Sequence, residues 1–144
     1  MNKETDYAKS IYKNAVIEYI DASIANTEKK IIFEESPICL GTAALVPNQG
    51  DWFTVDIGDK SILIVRNNKT EIRAYLNICS HRGAKLVEGS GTKAYAFKCP
   101  YHSWVYNLDG ELKARPRENA FDEINKDQCS LQKFELDNHQ GFLW

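Results

Sequence analysis

The sequence contains little histidine, methionine or proline, and it has no long apolar segment. Three histidines, one methionine and four prolines occur in 144 residues. The longest apolar runs are four residues, for example Ile62–Val65, whereas a membrane helix needs about 20. The first residues mix charges and lead into no apolar stretch, so no secretory signal is expected. These absences predict a cytoplasmic protein with no membrane partner.

A large excess of either charge is also missing. The chain has 18 Lys and Arg against 20 Asp and Glu, for a net charge of −2, which argues against nucleic acid as a partner. Residues 81–117 nevertheless hold seven basic and three acidic side chains. This excess is either ordinary surface scatter or a mildly basic rim that steers an acidic protein partner. The basic residues are Arg82, Lys85, Lys93, Lys98, Lys113, Arg115 and Arg117.

The pattern of apolar residues predicts a helical segment followed by β structure. Between residues 5 and 26, apolar side chains recur at steps of three and four, as on one face of a helix. After Pro37, short runs rich in β-branched and aromatic residues alternate with turn signals such as Asp109-Gly110. The predicted strands are Trp52–Ile57, Ser61–Val65, Glu71–Ile78, Lys93–Cys99, Leu131–Leu136 and Gly141–Trp144. We therefore predict a helical lead over residues 1–36 and a mainly antiparallel β-sandwich, or small barrel-like fold, over residues 37–144.

The chain ends on Gly-Phe-Leu-Trp, a run of large apolar residues. Chain termini are usually exposed, so this ending is uncommon for a folded domain. Either the last strand closes a sheet or the natural chain continues, and we expect continuation.

Two short motifs each pair one cysteine with one histidine. They are Cys79-Ser-His81 and Cys99-Pro-Tyr-His102, separated by the 17 residues 82–98. Each motif comes at the end of a predicted strand, so two loops at one sheet end could present four ligands to one site. A cytoplasmic location keeps thiols reduced, and so favours a metal site over disulfides among the four cysteines. Cys39 and Cys129 lie outside both motifs and are expected to be core or near-surface thiols.

The ligand types restrict the metal. Two thiolates and two imidazoles suit either tetrahedral zinc or an iron–sulfur cluster. Zinc fingers usually pair like ligands, whereas each motif here is mixed. Mixed pairs favour a two-iron cluster in which one iron takes both cysteines and the other takes both histidines. A structural zinc and an unconnected set of residues stay as alternatives.

At this point the motifs resemble a known family. Cys-x-His and Cys-x-x-His at this spacing are the signature of Rieske proteins. The surrounding residues 79–84 and 99–110 closely resemble the N-terminal Rieske domain of aromatic-ring-hydroxylating oxygenase α subunits, and so does Gly50-Asp51-Trp52-Phe53-Thr54. The likeness runs from about Ile32 to Trp144. It implies a Rieske-type antiparallel β-sandwich with a small cluster-binding subdomain, preceded here by an N-terminal α-helical segment.

The resemblance also implies one [2Fe–2S] cluster with four ligands. Cys79 and Cys99 are expected to bind the inner iron, and His81 and His102 the outer iron near the surface. The cluster loops are residues 79–84 and 99–104, with Gly83 adopting a φ angle that other residues avoid. Further expectations concern aromatic residues: Tyr101 and Trp104 shield the cluster, and Tyr106 either bonds a cysteine sulfur or simply packs.

Differences between this sequence and respiratory Rieske proteins indicate the reduction potential to be expected. Respiratory Rieske proteins carry a disulfide whose cysteines fall here at Ala84 and Tyr101, and a serine donor that falls at Trp104. The absence of both the disulfide and the serine donor favours the low end of the range of Rieske reduction potentials, which runs from about −150 to +300 mV. Ser103 stands where the oxygenase pattern most often has glycine, and we expect only a small effect on the loop.

The resemblance implies electron transfer without oxygenation by this chain alone. Rieske oxygenases activate O₂ at a mononuclear iron held by two histidines and a carboxylate. Only His139 remains outside the cluster motifs, so no catalytic residue is assigned. We expect the Rieske domain of an oxygenase α subunit, taking electrons from a ferredoxin or flavin reductase and passing them to an oxygenase catalytic domain or neighbouring subunit. The alternatives are a free-standing Rieske ferredoxin and a zinc-stabilised interaction module.

Overall fold

The computed structural model describes residues 14–144. Its helical part comprises α1 (Ile17–Ile20), α2 (Ala22–Glu28) and a π-helical segment (Lys29–Glu34). Asp21 separates the two helices in an extended conformation, and its side chain accepts hydrogen bonds from the N–H groups of Ser23 and Ile24, capping α2. The helical segment predicted over residues 5–26 continues to residue 34, because neither Gly nor Pro occurs before Pro37. Residues 5–13 of that prediction lie outside the described residues.

The described chain divides into two compact units, one ending at Ser36 and one spanning Pro37–Trp144. The second unit contains eleven strands and three short 3₁₀ helices. The strands are β1 (Gly41–Thr42), β2 (Trp52–Ile57), β3 (Lys60–Arg66), β4 (Ile72–Leu76), β5 (Ser90–Gly91), β6 (Ala96–Lys98), β7 (Val105–Asn107), β8 (Leu112–Ala114), β9 (Lys133–Phe134), β10 (Asn138–His139) and β11 (Phe142–Leu143). The 3₁₀ helices are Ala43–Leu45, Glu118–Phe121 and Lys126–Cys129.

Three antiparallel sheets make up this unit. The central sheet has the order β5-β2-β3-β4-β9, and two three-stranded sheets have the orders β1-β11-β10 and β6-β7-β8. Strand β2 pairs along its full length with residues 60–65 of β3 across the Gly58-Asp59 turn, with Trp52 opposite Val65. The predicted mainly β, antiparallel fold is confirmed.

The central strand β3 is buried on both faces, which places the other two sheets on either side of it. Leu63 and Val65 belong to one core cluster, together with residues of the β6-β7-β8 sheet such as Tyr106. Ile62 and Ile64 belong to a second cluster, together with Leu143 of β11. Successive residues of a strand point to opposite faces, so this alternation produces a layered sandwich. Within the described part of the chain, no helix is long and apolar enough to span a membrane.

Candidate metal centre

The two Cys-His motifs lie on loops at the ends of strands that belong to two different sheets. The first loop (residues 79–84) follows β4, and the second loop (residues 99–104) joins β6 to β7. Both loops contribute buried residues to the core cluster between the central sheet and the β6-β7-β8 sheet. The tertiary fold therefore places the two motifs beside one another.

The first loop is closed by two backbone hydrogen bonds. The Cys79 N–H donates to the carbonyl of Ala84 at 2.8 Å, and the Gly83 N–H donates to the carbonyl of Cys79 at 2.9 Å. Gly83 has a φ of 73°, a left-handed conformation in which side chains are disfavoured. The expected role of Gly83 in shaping this loop is confirmed by that angle.

The second loop repeats the same pattern with different residues. The Cys99 N–H donates to the carbonyl of Trp104 at 2.7 Å, and the Ser103 N–H donates to the carbonyl of Cys99 at 3.0 Å. Ser103 has a φ of 60° and therefore takes the conformation that glycine takes in the first loop. In both loops the cysteine is bonded to the residues four and five positions later, so the two thiols are presented by matching turns.

Asn77 ties the segment that follows the first loop to the central sheet. Its side chain is fully buried and donates to the carbonyl of Val87 at 2.7 Å and to the hydroxyl of Ser61 at 3.2 Å. Its carbonyl oxygen accepts from the N–H groups of Leu86 and Val87 at 3.3 Å. Sequence reasoning missed this residue, because Asn77 fell inside the predicted strand Glu71–Ile78 and nothing local marks it as a hydrogen-bonding residue.

The two cysteines of the motifs are buried and close to each other. Each is 2% exposed. Burial raises the pKa of the Cys79 thiol and the adjacent Cys99 raises it further, whereas Tyr106 and the His81 N–H lower it. Two neighbouring buried thiolates repel each other, and a bound cation relieves that repulsion.

The two histidines of the motifs lie side by side. The rings of His81 and His102 are 4.7 Å apart between centroids. His81 stacks on the buried Trp104 at 4.7 Å with an interplanar angle of 7°, and Tyr101 covers His102 at 3.9 Å while staying 62% exposed. The Nδ1 atom of His81 is buried and has no hydrogen-bond partner. Burial lowers the pKa of His81, and His102 and Arg82 lower it further, which favours the neutral imidazole that binds metals.

Tyr106 connects the β6-β7-β8 sheet to the first loop. Its phenol oxygen accepts the Ser80 N–H at 3.1 Å and lies 3.3 Å from the sulfur of Cys79. Burial raises the pKa of Tyr106, and the bond to Cys79 raises it further, so the phenol keeps its proton. A thiolate has no proton, so Tyr106 is the donor to a deprotonated Cys79. Of the two roles considered for Tyr106, the structure shows the bond to sulfur.

We expect Tyr106→Phe to lower the reduction potential of the holoprotein. The phenol donates to a sulfur that gains negative charge on reduction, so the bond is stronger in the reduced state. If the hydrogen bond is about 1 kcal/mol stronger in the reduced state than in the oxidised state, its loss lowers the reduction potential by roughly 40 mV for one electron. A potentiometric titration measures the shift. The control is Tyr95→Phe, which changes a 90% exposed phenol and is expected to leave the potential unchanged; equal potentials in the two variants contradict the role of Tyr106.

A cavity of about 530 Å³ lies beside the two histidines. It is lined by His81, Arg82, His102, Ser103, Trp104, Pro116, Arg117, Ala120 and Phe121. Of the predicted basic rim, Arg82 and Arg117 lie next to the motif, whereas Lys85 pairs with Asp56 and Lys113 pairs with Glu111. The rim beside the histidines is therefore narrower than the sequence count implies.

The remaining candidate residues lie elsewhere. His139 is exposed in β10, Cys39 is exposed, and Cys129 is a buried thiol of the core. Within residues 14–144, no three His, Cys, Asp or Glu side chains meet the geometry of a single-ion site. A two-iron cluster sets a different requirement, because its ligands bind two irons in pairs.

Comparison with known proteins identifies the family. The sequence pattern of the Rieske [2Fe-2S] domain matches residues 36–135. The chain belongs to this family. Its cofactor is therefore a [2Fe–2S] cluster, and the recognition made from the two motifs is confirmed.

Oxygenase subunits are among the similar proteins. The chain is 35% identical to the carnitine monooxygenase oxygenase subunit of Escherichia coli K12 over 127 residues, covering 88% of this chain and 34% of that protein. It is 31% identical to biphenyl 2,3-dioxygenase subunit alpha of Rhodococcus jostii, covering 88% of this chain and 28% of that one. A crystal structure of the quaternary ammonium Rieske monooxygenase CntA superposes with a TM-score of 0.82 at 29% identity, over 88% of this chain and 36% of CntA. This chain thus spans about a third of the length of these relatives.

The residues of the Rieske domain fit the cluster. A Rieske cluster needs two thiolates on one iron and two imidazoles on the other. The structure brings together two buried thiols and two adjacent imidazoles. The buried Nδ1 of His81 lacks any partner within the described protein, as a metal-binding nitrogen does before it binds.

Proposed function

We propose that this chain carries single electrons through a [2Fe–2S] cluster held by Cys79, His81, Cys99 and His102. The observation that supports this ligand set most directly is the matched pair of loops. Each places a buried cysteine at the same point of the same hydrogen-bonded turn. Each also supplies a partly exposed histidine, and the two rings are in contact. This arrangement supports a single site with four donors of the required types.

The protein side chains divide the work of electron transfer. When bound, the cluster accepts and releases one electron at a time. Cys79 and Cys99 supply anionic sulfur from within the core, where Tyr106 stabilises the charge on Cys79. His81 and His102 supply neutral nitrogen at the partly exposed edge, which is the side open to a redox partner. Trp104 stacks on His81 and keeps water from one face of that ring.

The electron path continues outside this chain in our proposal. In this proposal residues 37–144 form the Rieske domain of an oxygenase α subunit, and the helical segment described over residues 17–34 precedes it. Their support is the unit boundary at Ser36 and the family match over residues 36–135. Electrons enter from a ferredoxin or flavin reductase and leave to a mononuclear iron in an oxygenase catalytic domain or neighbouring subunit. A description of CntA reports inter-subunit electron transfer for that protein. We place the protein in the cytoplasm, with reduced thiols.

Anaerobic purification and EPR test this proposal. We expect a coloured protein with two irons per chain, and a rhombic EPR signal after reduction by dithionite. Redox titration is expected to give a one-electron potential near the lower end of the range of about −150 to +300 mV. The low value follows because Ala84 and Tyr101 carry no thiol, and Trp104 carries no hydroxyl.

Two results would contradict the proposal, and one further observation separates its redox alternatives. Colourless protein containing one zinc per chain contradicts the cluster and supports the zinc-stabilised module. A potential near the upper limit contradicts the oxygenase-like setting. Reading the gene beyond the codon for Trp144 then separates the two redox candidates, because an oxygenase needs two histidines and a carboxylate for its second iron.

A further inference from the structure

Arg115 is a buried cation next to the cluster loops, and the proposed electron transfer does not use it. Its side chain is 4% exposed, although a charged side chain is costly to bury without partners. It directly follows β8, and the 3₁₀ helix Glu118–Phe121 comes shortly after it. Its position calls for a physical explanation.

The Arg115 guanidinium ties down the segment that follows it, which we name the tethered loop (residues 116–124). The Nη2 atom donates to the carbonyl of Phe121 at 3.1 Å and to that of Ile124 at 2.9 Å. Nε lies 3.6 Å from a carboxylate oxygen of Glu118, too far for a good hydrogen bond but close enough for charge attraction. Nε and Nη1 are buried without a hydrogen-bond partner. The partners of the guanidinium are therefore two carbonyls and one carboxylate, and Lys126 also pairs with that carboxylate at 2.8 Å.

The same guanidinium positions an aromatic ring. Its central carbon lies 5.1 Å from the centre of the Phe121 ring, within the range of a cation–π contact. The other contacts of Phe121 lie on the cluster side: its ring is edge-on to His81 at 5.8 Å and to Trp104 at 5.5 Å. Phe121 thus fills the space between the buried arginine and one of the histidines.

The tethered loop also forms a wall of the cavity beside the histidines. Pro116, Arg117, Ala120 and Phe121 line that cavity together with His81 and His102. If the loop moved away, water would reach His81 from the side that Phe121 now covers. A short loop of exposed residues has little core of its own to prevent this, so its position depends on tethers.

We propose that Arg115 is a positioning residue that holds Phe121 over His81 and so limits the access of water and solutes to the histidine side of the cluster. This inference rests on the proposed ligand set, because it assigns His81 to the cluster. Arg115 acts through Phe121 and does not need to contact the cluster itself. Its hydrogen-bond partners are two backbone carbonyls, both served by the N–H groups of the single Nη2 atom.

The test measures how fast a chelator removes iron from the holoprotein. Decay of the visible absorbance in excess EDTA is followed for the wild type, Arg115→Met, Phe121→Ala and the double variant. We expect Arg115→Met to speed the decay about tenfold, because lost charged hydrogen bonds favour local opening of the loop. Phe121→Ala is also expected to speed the decay. The double variant is expected to decay no faster than Phe121→Ala alone, since both changes remove the same Phe121 ring from His81.

Controls separate this role from general destabilisation. Lys113→Met removes an exposed cation two positions earlier and is expected to keep the wild-type rate. Arg115→Lys retains a charged donor and is expected to restore most of the protection. If Arg115→Met does not fold, Arg115→Gln replaces it. If neither variant folds, the decay rate of Phe121→Ala is used, because an unchanged rate in that variant overturns the positioning role.

The outcomes are distinct from those of the proposed function. A wild-type protein without visible absorbance overturns the cluster proposal itself. A wild-type cluster that decays at the same rate in Arg115→Met, or at the same rate in Phe121→Ala, overturns the positioning role alone. The positioning role is also overturned if the fold-increases in decay rate of the two single variants multiply in the double variant, because Arg115 then does not act through Phe121.

Discussion

A purified Cys99→Ser variant is expected to be colourless and to give no rhombic EPR signal after reduction. The hydroxyl is a far weaker acid than the thiol and a harder ligand, so it poorly replaces thiolate sulfur on iron. Cys99 also lies in the core at 2% exposure, where no other thiolate can take its place without moving the second loop. The expected effect is complete loss of the native cluster, measured by absorbance, iron content and EPR. His102→Cys is expected to lose the native spectrum as well, because a third thiolate replaces one imidazole.

Cys129→Ser is the matched control for this loss. Cys129 is also a buried free thiol, 8% exposed and part of the same core cluster, but it lies on neither cluster loop. We expect it to retain the full spectrum at a stability cost of about 1 kcal/mol for the buried hydroxyl. Equal cluster loss in both serine variants points to general unfolding and contradicts the assignment of Cys99 as a ligand.

The second large effect is expected from Gly50→Ala. A Cβ at this position would lie 2.4 Å from the carbonyl oxygen of Ala94 and 2.8 Å from its nitrogen, and the φ of Gly50 is 82°. The backbones approach this closely because the Gly50 carbonyl accepts the Ala94 N–H at 2.9 Å. Backbone atoms cannot give way as the end of a side chain can. Steric overlap and left-handed strain together are expected to cost about 3 kcal/mol, or about 10 °C in Tm, measured by thermal unfolding of the holoprotein.

Gly58→Ala separates the overlap from the strain. Gly58 has a φ of 59°, and a Cβ there meets nothing within 4 Å. Only the conformational cost applies, so we expect about 1 kcal/mol and about 3 °C. The Gly50 contact also holds the chain that leads through β6 into Cys99, so Gly50→Ala is expected to reduce cluster occupancy as well. Similar melting temperatures for the two variants would show that the approach of residue 50 to Ala94 is not tight in solution.

Much of the fold could be predicted from local sequence. Strand β2 matches the predicted Trp52–Ile57, and β3 and β4 lie within a residue or two of their predicted bounds. These strands are long enough for alternation and β-branched residues to be recognised. Strands β7 and β8 were not predicted, since each has only three residues and Val105–Asn107 adjoins the second motif. Such short strands are stabilised by pairing with neighbours, and single-strand patterns do not record that pairing.

The kinds of ligand were also readable from the sequence. Thiolate and imidazole chemistry belongs to the residue types, and the Cys-x-His and Cys-x-x-His spacings are local. The left-handed turn at Gly83 could be predicted because glycine signals it. The same turn at Ser103 could not, since nothing in a serine side chain specifies it; the matching hydrogen bonds of the second loop impose it.

The surroundings of the ligands depend on contacts between residues far apart in the chain. Tyr106 contacts Cys79, which lies 27 positions earlier in the chain. The position of β7 determines that Tyr106 forms a hydrogen bond to the sulfur and does not merely pack. Arg115 was one of seven basic residues between positions 81 and 117, yet it is buried against Phe121 whereas Lys113 stays exposed. Local sequence records the chemistry of a side chain. Burial, partners and the resulting energies follow from the packing of three sheets against one another, which no short segment specifies.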